Sequence, residues 1–390
     1  DGVRYGVIGA GRQGTAAAYD MAKWGGAETV LLADRSIDAA RAASKRINEL
    51  IGRDVARWAE IDVTVHEELV DLVRPLDAIL CATPYAFIPA CTHGAIEAGT
   101  GMVDLGGHTP TVLGQLRLDG EARAAGVSIV PDCGMGPGLN NTLALAAIEQ
   151  LELRGAVARE ARVWDGGLPQ RPEGPFGYQL FFHIEGLTNE YDGMALVLRE
   201  GRVQEVETLT ELELLEFEEL GTLEAFVTSG GTSTVPFTMA GKLDVYENKT
   251  LRYPGHYAAF RAFKDLGLFS REPIKVRGAP IVPRDVYHEL LFPRLETRTV
   301  RDICVMRAEA VGKRGSVQET VRFELVDRFD DSTGFAAMER LTGWHAAIVT
   351  EMIAQGEIPP GVHPLERAVS QLRILQEIEA RGLEVRRQHR

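Results

Sequence analysis

Three sets of residues in this sequence have types and spacing suited to chemistry. The first is Gly9-Ala10-Gly11-Arg12-Gln13-Gly14, between an apolar strand, Tyr5 to Ile8, and an alanine-rich helix, Thr15 to Trp24. In a dinucleotide-binding fingerprint the first glycine allows the tight turn, the second lets backbone approach a pyrophosphate, and the third lets the helix pack on the sheet. Exposed N–H groups and the positive helix end would hold the phosphates. Gly9, Gly11 and Gly14, with Arg12 and Gln13 inside the turn, are therefore candidate cofactor contacts. Asp34 closes the second strand twenty residues after Gly14, where a carboxylate accepts from adenosine ribose hydroxyls. It repels a 2′-phosphate, whereas Arg35 beside it could attract one, so NAD is favoured over NADP.

The other two sets lie later in the chain. Tyr178 to Leu187 reads as a strand, with Tyr178, Leu180, Phe182 and Ile184 on a core face and Gln179, Phe181, His183 and Glu185 on the opposite one. An imidazole and a carboxylate two residues apart suit proton transfer at a substrate amine or carbonyl. An exposed polar sheet face would give the same pattern. In Leu251-Arg252-Tyr253-Pro254-Gly255-His256 a guanidinium and an imidazole flank a turn. Arg252 could clamp an α-carboxylate bidentately, or be a surface arginine. Tyr178, Gln179, Thr232 and Asn140 complete the candidate substrate contacts, Asn140 because its helix points an N-terminus at the cleft.

The elements that must position these residues follow a βα rhythm up to about residue 150. A crossover helix fits 36–50, and a short strand around Ile61 puts Asp62 near the adenine. The strand 77–82 leads into Ala82, Thr83 and Pro84, which should border the nicotinamide half, and the strand 102–105 presents Asp104 beyond its carboxyl end. After a strand at 127–131, the Gly/Pro-rich run Asp132 to Asn141 reads as a domain junction. Past residue 150 hairpins are expected at 196–206 and 303–326, a solvated helix at 209–220, and two closing helices at 332–354 and 365–380, with Ser332 or Thr333 capping the first. The fold class is α/β: an N-terminal Rossmann domain with a doubly wound parallel sheet, plus an α+β substrate domain with a mixed or antiparallel sheet.

Composition sets the outer limits. The 390 residues suffice for two cores, and a net charge of −14 with no Lys/Arg run argues against nucleic acid or an anionic membrane as partner. The four cysteines show no metal-type spacing and read as reduced thiols of a cytoplasmic protein. No apolar run reaches membrane-spanning length.

Taken in order, Gly9 to Gly14, Met102-Val103-Asp104, Asp132 to Asn141, Gly166-Gly167-Leu168-Pro169, Leu187-Thr188-Asn189-Glu190-Tyr191, Leu251 to His256 and Leu341-Thr342-Gly343 resemble the saccharopine dehydrogenase-like family, particularly its L-lysine 6-dehydrogenase branch. The resemblance implies a Rossmann domain at 1–134 rejoined by helices from about 335–390, a substrate and dimerisation domain at 135–334, and a homodimer. It implies NAD(P)-dependent chemistry at an amino-acid C–N bond. In the lysine branch this is oxidative deamination of the ε-amine. His183 and Glu185 would move protons, Asp104 would position the amine or nicotinamide, and Arg252 with His256 would hold the carboxylate. The chain departs from the branch at Gln179, at Phe182-His183 and at Thr228 to Ser233. Two alternatives remain: secondary-amine chemistry of the saccharopine or carboxynorspermidine kind, and a dinucleotide-binding protein without catalysis.

Overall fold

The computed structural model describes residues 2–297 and 301–390. Strands β1 (Val3–Ile8), β2 (Ala27–Asp34), β3 (Ala56–Glu60), β4 (Ala78–Cys81), β5 (Gly101–Asp104) and β6 (Ser128–Val130) form a parallel sheet in the order β6-β5-β4-β1-β2-β3. A late strand, β17 (Gly361–Val362), extends it beyond β6. Strands β4 and β5 are buried along their whole length, as expected of a parallel sheet covered on both faces.

The second sheet is mixed. Its members are β7 (Val157–Pro169), β8 (Met194–Arg199), β9 (Arg202–Glu207), β10 (Glu213–Phe217), β11 (Gly221–Val227), β12 (Val245–Arg252), β15 (Asp302–Arg314), β16 (Val317–Arg328) and β18 (Val385–His389). The main path runs β10-β11-β12-β7-β15-β16-β18, with β7 and β12 parallel and β8 paired to β9 and β12. A separate small hairpin joins β13 (Ile274–Val276) to β14 (Ala279–Ile281). Both expected hairpins form, as β8–β9 and β15–β16.

Two expected elements take other forms. Within 209–220 the structure has strand β10, zipped to β11, in place of a solvated helix. Its glutamates have sheet-side partners: Trp164 Nε1 donates to Glu213 at 2.7 Å, and Arg307 Nη2 donates to the Glu216 carbonyl at 3.0 Å. The stretch 178–187 is not a strand. Tyr178, Leu180 and Phe181 are all buried in one aromatic cluster, and a helix runs from Ile184 to Tyr191. His183 starts that helix by accepting the Gly186 N–H on Nδ1 at 2.9 Å. The alternation of aromatic and polar residues thus reflects packing of an irregular segment.

The closing helices return to the first domain. The helix Ala337–Ala354 packs along Arg12–Lys23 so closely that a Cβ on Gly343 would sit 2.7 Å from the Gln13 carbonyl oxygen and 2.8 Å from the Ala17 nitrogen. The alanines of the first helix, Ala16, Ala17 and Ala18, are fully buried. Ser332 and Thr333 do not cap this return helix; their hydroxyls bond to Asp330. The cap is Asp302 on β15, whose two carboxylate oxygens accept the Ala337 and Met338 N–H groups at 2.8 Å each. One carboxylate therefore ties the second sheet to a helix of the first domain. The last strand, β18, pairs with β16, so the chain end lies in the second sheet.

A buried ion-pair network fastens the final helix, Gln371–Ala380. Arg381, just past its end, binds Asp20 bidentately at 2.6 and 2.9 Å and Glu351 at 2.8 Å, all three nearly inaccessible to water. Among the described residues no helix is long and apolar enough to cross a membrane, and all four cysteines are buried and unpaired. Arg381→Met would strand two buried carboxyls, and we expect a loss of about 3–5 kcal/mol in urea denaturation. An unchanged midpoint would mean that the network is neutral and dispensable.

Candidate functional site

The glycine turn meets every steric demand of its motif. A Cβ on Gly9 (φ +107°) would sit 2.5 Å from the Ala82 carbonyl oxygen, and one on Gly14 would sit 2.0 Å from the Gly9 carbonyl oxygen. A Cβ on Gly11 would meet nothing within 4 Å. Gly11 is therefore not required by packing, and the space beside it is open. The helix N-cap there has no side-chain partner, and its first turn holds no acid. Among the described residues no acceptor reaches the N–H groups of Gly11, Arg12, Gln13 or Gly14, the first turn bond being Thr15 N–H to Gly11 O. Unspent amides facing open space at a helix N-terminus fit a pyrophosphate. Asp34 is half-buried, and its two oxygens accept from Ala10 and Ser36 N–H at 2.8 Å each, which fixes the carboxylate and leaves lone pairs free. Arg35 is exposed, and its charge helps lower the Asp62 carboxyl, chiefly depressed by hydrogen bonds from Thr64. Asp62 is exposed at the end of β3, and Thr83 and Pro84 follow β4.

Beyond the strand ends the two domains meet around Asp132. A Cβ on Gly106 would overlap the Asp132 carboxylate, the Gly107 N–H donates to it at 3.3 Å, and Ser233 of the second domain donates its hydroxyl to Oδ2. Burial and the neighbouring Asp104 push the Asp132 carboxyl up to about 7. Asp104 is fully buried and has no free face. Its oxygens accept from Gln115 Nε2 at 2.8 Å and Asp132 N–H at 3.0 Å, while burial raises it to about 6. Both oxygens are engaged inside the fold at the ends of β5 and β6, so the geometry lends no support to the expected catalytic or positioning role.

Several other candidates also turn inward. Asn140 Oδ1 accepts the N–H groups of Gly138 and Asn141, and its Nδ2 donates to the Gly231 carbonyl. The Leu139 and Asn140 N–H groups bond to Gly134 and Met135. The N-terminus of helix Leu139–Leu153 thus has no amide left for a carboxylate. Thr232 is buried and donates to the Leu196 carbonyl. Glu185 is an ion-pair partner of Arg271, Arg284 (3.0 Å) and His288 (3.4 Å), so its carboxylate is already engaged by three side chains. His183 is exposed and, with Tyr85, Asn189, Arg271 and Arg284, lines a cavity of about 420 Å³ at the domain boundary. Tyr85 stacks on His108 at 4.3 Å beside it. Gln179 is half-buried beside the buried Tyr178.

Arg252 is where the second domain concentrates charge. It is only 3% exposed, at the end of β12. Its Nε donates to the Tyr191 hydroxyl at 2.9 Å, and Nη1 donates to the Leu251 carbonyl at 2.9 Å. The Tyr178 ring lies 4.6 Å beneath the guanidinium. Tyr191 in turn donates to His256 Nε2 at 2.8 Å, and His256 Nδ1 donates to the Phe176 carbonyl at 2.9 Å. Burial, with Arg252 nearby, drives the His256 imidazole down to about 3, so it is neutral. With both nitrogens spent and its ring stacked on Phe260, His256 orients Arg252 through Tyr191 and holds no carboxylate itself. Among the described residues Nη2 of Arg252 has no hydrogen-bond partner.

Two carboxyls face that cation. Asp165 on β7 is 8% exposed, and burial raises it to about 6 against the pull of Asn248 and Arg252. Glu190, on the helix after His183, is pushed to about 7 by desolvation, with Arg252 opposing and Asp165 adding to the rise. Neither Asp165 nor Glu190 was singled out by sequence as a site. Both lie in or next to family-like motifs, but only burial distinguishes them from ordinary surface acids.

These raised carboxyls set a pH dependence. Asp132 and Glu190 stand near 7 in the folded chain and near about 4 unfolded, so the folded state holds more protons between those values. The stabilising contribution is complete below about pH 4 and is lost as pH rises through about 7. His256 and His345 act with the opposite sign but finish titrating by about 6.5, the unfolded value. Unfolding midpoints of the cofactor-free protein should therefore fall between about pH 6.5 and 8, and Asp132→Asn should flatten the fall. An unaltered slope would show that the Asp132 carboxyl is ionised throughout.

The comparisons with known proteins agree with this architecture. Residues 5–130 match the saccharopine dehydrogenase NADP binding domain, and residues 134–383 match the saccharopine dehydrogenase C-terminal domain. Mitochondrial alpha-aminoadipic semialdehyde synthase of Rattus norvegicus is 25% identical over 221 residues, 54% of this chain and 24% of that protein. The NADP(+), L-glutamate-forming saccharopine dehydrogenase of Saccharomyces cerevisiae is 22% identical over 236 residues, 59% of this chain and 52% of the relative. The chain thus spans about a quarter to a half of the length of these curated relatives. The solved apo saccharopine dehydrogenase (L-Glu forming) from S. cerevisiae superposes with a TM-score of 0.80 at 18% identity over 100% of both chains, which shows a shared fold. The chain belongs to the saccharopine dehydrogenase family, with a pyridine-nucleotide-binding domain followed by the family's C-terminal domain.

Proposed function

We propose that this protein is an NAD(P)-dependent oxidoreductase acting on an amino-acid C–N bond, with oxidative deamination of the L-lysine ε-amine as its reaction. The observation that carries the reading is the charge inventory around Arg252. One buried guanidinium with a free Nη2 faces two desolvated carboxyls, Asp165 and Glu190. A substrate with one carboxylate and two amines balances that inventory. A saccharopine-like secondary amine carries more carboxylates than ammonium groups and would need further free cations. Arg271 and Arg284, on the cavity lined by His183, are already paired to Glu185 and Asp192.

The residues of the glycine turn fit the dinucleotide, Gly11 to Gly14 holding its phosphates and Asp34 its ribose. Bound there, the cofactor would supply the hydride acceptor. The chain's own work is alignment and charge: Arg252 fixes the substrate carboxylate, Tyr191 and His256 keep the guanidinium in place, and the exposed His183 imidazole lines the cavity at the domain boundary. NAD is the proposed cofactor. The fixed Asp34 carboxylate opposes a 2′-phosphate, and the charge of Arg35 is partly answered by Asp62.

Turnover should be seen as reduced-cofactor formation with ammonia release when L-lysine is offered beside ornithine, glutamate, saccharopine and polyamine-derived amino acids. Activity confined to saccharopine would overturn the lysine reading. Asp34→Ala should weaken NAD about 10- to 100-fold in fluorescence titration, the loss of one or two charge-assisted hydrogen bonds, and weaken NADP less. Equal losses would remove Asp34 from cofactor choice. Arg252→Met should raise KM for L-lysine at least about tenfold, with a smaller change for 1,5-diaminopentane, which has no carboxylate. The same KM for both would return Arg252 to a structural role.

A further inference from the structure

The proton that must leave the substrate ammonium needs an acceptor, and neither Glu185 nor Asp104 has the geometry for it. Asp165 does. It sits on β7, parallel to β12, with Thr250 as its register partner on one side and Met306 on the other. Asn248 Nδ2 donates to Oδ1 at 2.5 Å and so fixes the carboxyl plane. Among the described residues no donor reaches Oδ2. That oxygen points at the junction loop, where a Cβ on Gly136 would lie only 2.7 Å away. The same loop touches the first domain: a Cβ on Gly134 would lie 3.0 Å from the Leu105 carbonyl oxygen, just past the end of β5. Ligands of an open parallel sheet bind beyond those strand ends. Asp165 thus carries an oriented and unspent carboxylate oxygen under the loop that joins the two domains. Arg252, only 3% exposed and with its own Nη2 unpartnered among the described residues, is the independent sign of a site that would take a charged ligand.

We infer that Asp165 is the group that takes the proton from the reacting primary ammonium, with Glu190 holding positive charge beside it. This assignment rests on the amine-oxidising reading given above. An N–H of the ammonium passes its proton to Oδ2, leaving a neutral amine whose lone pair can form a C=N bond. The adjacent carbon then loses its hydride, with the bonding electron pair, to the nicotinamide dinucleotide. Water adds to the resulting iminium carbon, a proton of that water passes to the nitrogen, the carbinolamine collapses to an aldehyde as ammonium departs, and the separate proton on Asp165 returns to solvent. The charged and titratable groups around Asp165 are Arg252 and Tyr246 from β12, Glu190 from the helix after His183, and Cys304 from β15. Of these, burial keeps Tyr246 and Cys304 neutral near pH 7. Arg252 favours the ionised Asp165, whereas burial opposes it and holds the carboxyl near 6. Such an acid is ionised at neutral pH yet remains basic enough to accept a proton.

The test compares two isosteric variants. Asp165→Asn keeps a side-chain oxygen for the Asn248 amide. It should lower kcat about 10²- to 10⁴-fold, the range of a lost general base, and abolish the acidic limb of the kcat profile near pH 6. Glu190→Gln should chiefly raise KM and keep that limb. A readout independent of turnover is proton release when L-lysine binds the cofactor-free protein, measured by calorimetry in buffers of different ionisation enthalpy. Near pH 6 the wild type should release roughly half a proton from Asp165, and Asp165→Asn should lose that portion. Retention of the acidic limb, or unchanged proton release, in Asp165→Asn would overturn the assignment. If the wild type oxidised none of the amino acids offered, the functional reading would fail alone, and the proton measurement would still decide whether Asp165 meets the ammonium.

Discussion

Burial of the Arg252 guanidinium is the constraint on which the second domain's site depends. Taking a cation out of water costs several kcal/mol unless its donors and charge are answered. Here the donors are answered by neutral groups: the Tyr191 hydroxyl, the Leu251 carbonyl and the Tyr178 ring. The charge is not cancelled by a direct ion pair among the described residues. Asp165 and Glu190 act on it from a distance, and their own carboxyls are raised toward neutrality by desolvation. The cluster is therefore electrostatically incomplete and oriented. Tyr191 can serve Arg252 only because His256 accepts its proton, and His256 can accept only because burial keeps it neutral and Phe176 fixes its tautomer.

The two domains are locked together away from this cluster. Asp302 leaves β15 to cap the return helix, and that helix lies against the cofactor-turn helix at a distance set by Gly343. Arg381 adds a buried link from the chain's last helix to Asp20 and Glu351. On the cleft side, Ser233 reaches Asp132, and Asn140 with Asn141 holds the Gly231 carbonyl. The residues expected to touch substrate at 140 and 232 thus maintain the shape of the cleft. Their polar atoms are consumed by backbone: Asn140 by the Gly138 and Asn141 N–H groups and the Gly231 carbonyl, Thr232 by the Leu196 carbonyl on β8.

The first domain was legible in the sequence, and the second domain's site was not, for a physical reason. A dinucleotide turn is specified by local sterics, so spaced glycines and a carboxylate at a strand end can be read from one short stretch. Arg252 was also legible, as a guanidinium beside a turn. Asp165 and Glu190 gain their character from burial, which involves β7, β12 and a helix far apart in sequence. Nothing in their types separates them from the many other acids of the chain. The stretch 178–187 misled through its aromatic alternation, since packing into one cluster mimics the period of a strand. Glutamates and leucines at 209–220 also misled: helical spacing suggested a solvated helix, but the segment holds an edge strand on which Leu214 is exposed.

Hydrogen-bond saturation separates the four raised carboxyls around the cleft more clearly than their acidity does. Asp104 and Asp132 lie on the first domain's strand ends and accept bonds on both oxygens, the first from Gln115 and Asp132, the second from Gly107 and Ser233. Raised pKa values there follow from structural burial. Asp165 has one oxygen committed, and the Glu190 side chain has none among the described residues. Burial raises all four alike, but Asp165 and Glu190 keep some access to solvent and carry acceptor capacity that a ligand could take up. The carboxyls that the fold leaves incomplete are those that interact with Arg252, and that asymmetry is what supports a substrate site in the second domain, beside the junction loop.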